Sequence, residues 1–158
     1  MYPVHLLVEA NHRLSTFSKA WSGNLIDDLR SIPDTVIAGG AVVGAITGVA
    51  AGDLDIFLMS PPAKAEGTLH LIWKAIQINQ ERVGGKKLLV TRSKHAVTVY
   101  RCAGTRLTAP PVQIILNVQE SVSDLLLNFD VDCCHFAYCL ARSQVLTTER
   151  GLRALRYS

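Results

Sequence analysis

Asp53 and Asp55 stand two apart in "AGDLDIFL", with Leu54 between them and an apolar run behind them. In an extended strand, residues two apart point to the same face, so both carboxylates share one side and Leu54 takes the other. Two carboxylates side by side repel one another, a costly arrangement unless a cation sits between them. Upstream, Gly39 and Gly40 precede a short apolar segment of helical character. Free backbone N–H groups at such a turn, together with the helix dipole, hold phosphate. Mg2+ takes oxygen ligands from one or two carboxylates plus substrate phosphates. A phosphate turn and a metal pair separated by one short helix make a site for a nucleoside triphosphate with Mg2+ (or Mn2+).

Two other readings compete for the same stretch, "VIAGGAVVGAITGVAAGDLDIFL". Gly40, Gly44 and Gly48 repeat every four residues in an apolar run, as in a membrane helix dimer. Residues 35–52 are 18 uncharged residues, about the minimum to span a bilayer. They include five glycines, however, and Asp53 and Asp55 close the run abruptly, which fits a soluble α/β core better. Gly39 and Gly44 could instead be the first and third glycines of a dinucleotide-binding turn, but Ala41 occupies the middle position. The helix between the strands is also too short for a normal βαβ crossover.

The elements that must position these residues follow from periodicity. Residues 5–31 carry apolar positions at helical spacing (Leu6, Leu7, Leu14, Phe17, Trp21, Leu25, Ile26, Leu29), broken near "SGN" at 22–24. "TVIA" (35–38) reads as a strand, "AVVGAIT" as a short helix and "DLDIFLM" (53–59) as a buried strand. "SPPAKAEG" (60–67) reads as a loop before a helix over 67–82. Strands are expected at 87–92, 95–101 and 112–116, a capped helix from about Ser121, a strand over 130–139 and a short terminal helix in the tail. The fold class is α/β (α+β): a mixed β-sheet flanked by helices with an N-terminal helical segment. The expected organisation is one domain, with N-terminal helices at 1–33, a core at 34–139 and a tail at 140–158.

Composition agrees. At 158 residues, 49% hydrophobic and 18% charged, the chain can bury a real core. A net charge of +3 and a pI near 8.8 are compatible with nucleotide binding without demanding it. Cys102, Cys133, Cys134 and Cys139 form no C-x2-C pair; Cys133 and Cys134, in an apolar, strand-like run, read as buried free thiols, and a reducing, cytoplasmic compartment is expected. No basic segment followed by an apolar core marks a signal peptide, and no membrane partner is expected. His70 reads as a packed or partly exposed helix residue, Trp21 and Trp73 as core, and His135 as a core histidine rather than a zinc ligand.

"AGG", twelve residues, then "DLDI" resembles the signature of the DNA polymerase β-like nucleotidyltransferase superfamily: hydrophobic–Gly–Gly/Ser, a short spacer, then Asp–hydrophobic–Asp/Glu–hydrophobic. The downstream order, "PVQIIL", a short helix, then "FDVDCCHFAY", also resembles that superfamily, and its last part is similar to a region of tRNA nucleotidyltransferases. The resemblance spans about residues 34–139. It implies the nucleotidyltransferase fold, with Gly39 and Gly40 contacting the triphosphate and Asp53 and Asp55 ligating Mg2+. The implied reaction is attack of an acceptor hydroxyl, on nucleic acid or protein, at the α-phosphate of an NTP such as ATP, with release of pyrophosphate. Two metals would stabilise the attacking and leaving oxygens. The third carboxylate of the pattern falls at Gln113, a neutral side chain. Asp130 or Asp132, one strand over on a shared face, are the candidates to replace it as metal ligands. Arg92 and Lys94 are candidates to reach the triphosphate as point charges, against the reading of an ordinary solvated hairpin. The chain resembles a minimal domain, in which the N-terminal helices, a partner chain or a second copy would recognise the acceptor. The alternative function is a catalytically degenerate module that keeps the fold for nucleotide binding or for a structural role, as in a viral assembly.

Overall fold

The structure, a computed structural model, describes residues 5–6, 24–85 and 87–157. In chain order its elements are β1 (His5–Leu6), α1 (Leu25–Leu29), β2 (Thr35–Ala38), α2 (Gly40–Thr47), β3 (Leu54–Leu58), α3 (Pro62–Arg82), β4 (Lys87–Arg92), β5 (Ala96–Ala103), β6 (Arg106–Leu107), β7 (Val112–Ile115), α4 (Val122–Leu127), β8 (Phe136–Cys139), β9 (Gln144–Thr147) and α5 (Glu149–Arg156). The strands form one mixed sheet in the order β1-β9-β8-β2-β3-β7-β5-β4, with β6 paired to β5. β3 and β7 are parallel; their neighbours pair antiparallel. The fold class is therefore a mixed α+β sheet flanked by helices, as the periodicity leads one to expect.

β3 lies in the middle of the sheet, and its alternation sorts the core. Leu54, Ile56 and Leu58 face α1, α2 and α3, where they pack with Ile37, Val112, Ile114, Ile72 and Leu25. Phe57 faces the other way into a smaller cluster of Val36, Ala38, Leu125, Leu126 and Ala137, roofed by α4. Ser121 caps α4 by accepting the Asp124 backbone N–H at 3.0 Å, which is the cap its position suggests.

Four sequence expectations change. Helix α3 begins at Pro62 rather than residue 67, because proline is tolerated in a helix's first turn, where its missing N–H has no partner to lose. The expected strand over 130–139 is a short 3-10 turn at Asp132–Cys134 followed by β8 at Phe136–Cys139; the Cys134 and His135 N–H groups close locally onto the Val131 and Asp132 carbonyls at 2.9 and 3.1 Å. The tail contains a sheet strand, β9, turned back onto β8 through Leu140–Arg142 and Ser143, whose φ is 52°. His5–Leu6, expected to be helical, is a strand paired with β9. The rest of the expected N-terminal helix, residues 7–23, lies outside the described residues.

A polar network that the sequence does not advertise ties the helices to the sheet. Arg101 of β5 is 1% exposed and donates to Asn79 Oδ1 of α3 at 2.7 Å. Asn79 donates to Asp28 Oδ2 of α1 at 3.4 Å, and Arg82 grips both Asp28 oxygens at 3.0 and 2.9 Å. Planar, bidentate pairing of this kind fixes α1 against the C-terminal half of α3. Among the described residues no helix is long and apolar enough to cross a membrane, and the 35–52 run is split between β2 and α2.

The four-residue glycine repeat has no single cause. Gly48 ends α2 at φ 83° and donates its N–H to Gly44 O at 2.8 Å. Gly44 lies where an added Cβ would drive into the Val49 carbonyl oxygen, whereas one on Gly40 would meet nothing within 4 Å. Gly44→Ala is expected to destabilise the protein by about 2 kcal/mol, read as a fall in urea midpoint at unchanged slope. An unchanged midpoint would refute the close-approach role of Gly44.

Candidate functional site

The site forms where β2 ends, α2 begins and β3 starts. Gly39 takes φ 84° and ψ −144°, donates its N–H to the Phe136 carbonyl of β8 at 3.0 Å and opens α2. A non-glycine residue at that φ is strained, so the turn depends on glycine there. Asp55 carries one carboxylate oxygen, Oδ2, to 3.9 Å from the position a Gly39 Cβ would take, so the carboxylate lies against the glycine turn. Asp53 precedes β3 by one residue, near enough for its charge to act on Asp55. The start of α2, with its partial positive charge, is thus beside an acidic pair.

Burial pushes the Asp55 pKa from 3.8 up to about 6, and the Asp53 carboxylate adds to the rise. Its Oδ1 is buried with no hydrogen-bond partner. A buried anionic oxygen left unpaired beside a second carboxylate is the arrangement that a divalent cation would neutralise, so Asp53 and Asp55 fit Mg2+ or Mn2+. No group of three or more His, Cys, Asp or Glu able to hold a metal occurs among the described residues. The rest of such a shell would have to come from phosphate oxygens and water.

Gln113 stands directly beside Asp55 on the parallel strand β7, and Thr98 and then Thr91 continue the row across β5 and β4. The position of the expected third carboxylate is therefore next to Asp55, and a neutral amide fills it. Three other expectations are corrected. Asp130 and Asp132 are not one strand over from β3: β2 separates β8 from β3, and both residues precede β8 in the loop and turn. Asp130 is exposed, and Asp132 forms an ion pair with Arg150. Arg92 is in register with Val97, which pairs with Ile114, which pairs with Ile56. That row leaves the sheet on the face opposite Asp55, three strands and about 14 Å away. Lys94 lies in the β4–β5 turn, beyond the Phe57 end of β3 and away from Asp53. The structure brings Gly39, Gly40, Asp53, Asp55 and Gln113 together and leaves Arg92 and Lys94 elsewhere.

Two neighbours escaped sequence reasoning. The Phe129 ring comes within 3.6 Å of the Gly39 Cβ position and meets Phe57 edge-on, with centroids 5.9 Å apart. Cys134 lies near enough to Asp55 for the carboxylate, after burial and Cys133, to help raise its thiol pKa. Phe129 reads in sequence as the last apolar residue of a helix, and only the fold back of 128–135 over the end of β2 places it here.

This sheet, with an acidic strand beside a glycine turn, has a fold similar to that of nucleotidyltransferase enzymes. The Thermotoga maritima CCA-adding enzyme complexed with tRNA matches with a TM-score of 0.58 at 14% identity, over 99% of this chain and 35% of that one. A CCA-adding enzyme in complex with ATP matches with a TM-score of 0.52, also at 14% identity, over 99% and 36%. The chain spans about a third of the length of those enzymes, and the likeness is one of fold. By sequence, the chain belongs to the Gad2 family, described as Gabija anti-defense 2 family protein, whose model matches residues 12–157. No curated protein matches it.

The raised Asp55 pKa has a measurable consequence. The folded state holds this proton more tightly than the unfolded chain, so the stability contribution is present below pH 4 and is lost as pH rises through about 6. Without divalent metal, Asp55→Asn is expected to match wild type near pH 4 and to exceed it by about 1 kcal/mol above pH 7, allowing for partial solvation of the carboxylate. Denaturant titrations at the two pH values check this; a variant less stable than wild type at pH 7 would contradict the assignment.

Proposed function

We propose that this chain is a Mg2+-dependent nucleotidyltransferase that moves a nucleoside monophosphate from an NTP to a hydroxyl on nucleic acid or protein, and that this reaction serves the anti-defense role its family name carries. The observation that supports it most is the buried, unpartnered Asp55 Oδ1 beside Asp53 and against the Gly39 turn. In this reading the Gly39–Gly40 backbone and the first turn of α2 receive the triphosphate. Gly40, with open space where a Cβ would be, leaves room for it. Asp53 and Asp55 hold the metal, which supplies charge neutralisation on the phosphate oxygens and on the leaving pyrophosphate. The Gln113 amide, beside Asp55, orients oxygens at the reacting end by hydrogen bonding.

A second reading is favoured by Gln113 itself. An amide at the third-carboxylate position carries no charge to support a second metal, so the chain would bind NTP and metal without transferring the nucleotide and would act as a nucleotide-binding module.

Incubation with each α-32P-labelled NTP and Mg2+ or Mn2+, with RNA and protein acceptors, separates the two. The first reading expects label transfer that disappears in Asp53→Ala/Asp55→Ala; the second expects metal-dependent NTP binding with no transfer. Neither transfer nor binding would refute both. Gly40→Ala adds a check on the phosphate turn: it is expected to melt within a few degrees of wild type, because alanine is the better helix former, yet to bind NTP about ten-fold more weakly. Unchanged NTP affinity would remove Gly40 from the site.

A further inference from the structure

His135 is wholly buried, and both of its ring nitrogens are engaged. Nε2 donates to the Phe129 carbonyl at 3.0 Å. A carbonyl can only accept, which places the ring proton on Nε2 and leaves Nδ1 to accept from the Thr148 hydroxyl at 2.9 Å. Thr148 is the N-cap of α5, and its hydroxyl oxygen also accepts the Gly151 N–H at 3.2 Å. A Cβ on Gly151 would come within 2.9 Å of the His135 carbonyl oxygen, so the first turn of α5 is pressed onto this residue. The Thr147 hydroxyl donates to that same carbonyl at 2.7 Å.

The two segments that His135 joins both end on the Gly39 turn. Six residues before it, the Phe129 ring packs on Gly39 beside Asp55 Oδ2. One residue after it, the Phe136 carbonyl accepts the Gly39 N–H at 3.0 Å. Among the described residues the loop between them is tied to α5 once more, by the Asp132–Arg150 ion pair; its turn otherwise closes on itself, and Asp130 and Val131 are exposed.

We propose that His135 is a positioning residue of the nucleotide site: its imidazole hangs the Phe129 loop from the cap of α5, and through Phe129 it holds the Gly39 turn and Asp55 in the geometry that receives the metal-bound triphosphate. The inference rests on the nucleotidyltransferase-site reading above for its ligand, but not for its mechanical content. The imidazole touches no reacting atom and acts only through Phe129.

The two arms can be cut separately. A glutamine amide nitrogen reaches about as far as Nε2, so His135→Gln keeps the donor to Phe129 and gives up the acceptor to Thr148. An asparagine carbonyl reaches about as far as Nδ1, so His135→Asn keeps the Thr148 arm and leaves Phe129 without its donor. Both variants lose one buried hydrogen bond and are expected to show similar falls in stability. They part in the site. His135→Asn is expected to weaken metal-dependent NTP binding about ten-fold and to speed amide exchange at Gly39 by a similar factor, whereas His135→Gln stays within about three-fold of wild type in both. Equal NTP affinity and equal Gly39 exchange in the two variants would overturn the proposal and leave His135 a core residue only. If wild type binds no NTP, the nucleotide reading fails, and the Gly39 exchange rates still decide whether His135 holds the turn.

Discussion

The molecule is organised around one carboxylate held in a place that water only partly reaches. Asp55 sits within β3, the strand at the centre of the sheet, and is flanked on the chain by Leu54 and Ile56, neither of which is exposed at all. Sliding β3 by one residue would put Asp55 into the core under α1, α2 and α3 and move Leu54, Ile56 and Leu58 together to the opposite face, so the register is set by several apolar side chains acting at once. Hydrophobic burial on one face therefore fixes the charge on the other. The strain of that placement appears as an unpaired oxygen and a raised pKa, and it marks the site more clearly than any cleft does.

The remaining elements either feed that strand or close around its end. β2 delivers the glycine turn antiparallel to β3, and β7 brings Gln113 alongside in parallel. The Arg101–Asn79–Asp28–Arg82 network works on the far face, where it holds α1 and α3 to the sheet without reaching the carboxylates. The C-terminal segment closes the near end: β9 extends the sheet beyond β8, and α5 caps itself with the residue that also holds His135. What periodicity presents as a tail is thus joined to the glycine turn through two side chains and one backbone carbonyl.

Gln113 and the glycine repeat show how one pattern admits several physical causes. Gly40, Gly44 and Gly48 look like a single helix-packing stripe, yet one borders open space, one admits a close carbonyl and one ends the helix. Gln113 looks like a missing charge, yet its place beside Asp55 keeps a polar group next to the carboxylate. A carboxylate there would have added a third negative charge beside a pair that already repels, and the amide relieves that repulsion in the absence of metal.

The sequence by itself determined the alternating strand that carries Asp55, with Asp53 just before it, the turn at Gly39–Gly40, the central strands and the Ser121 cap. Each depends on neighbours within a few residues, where periodicity, turn chemistry and capping act directly. Only the tertiary structure decided which residues separated along the chain meet. It put Arg92 on the opposite face through the register of three strands, took Asp130 and Asp132 off the sheet, and brought Phe129 to the glycine turn, Cys134 near Asp55 and His135 onto the Phe129 carbonyl. Register across a sheet and the path of a loop are fixed by the summed burial of many side chains at once, and no local pattern carries that sum.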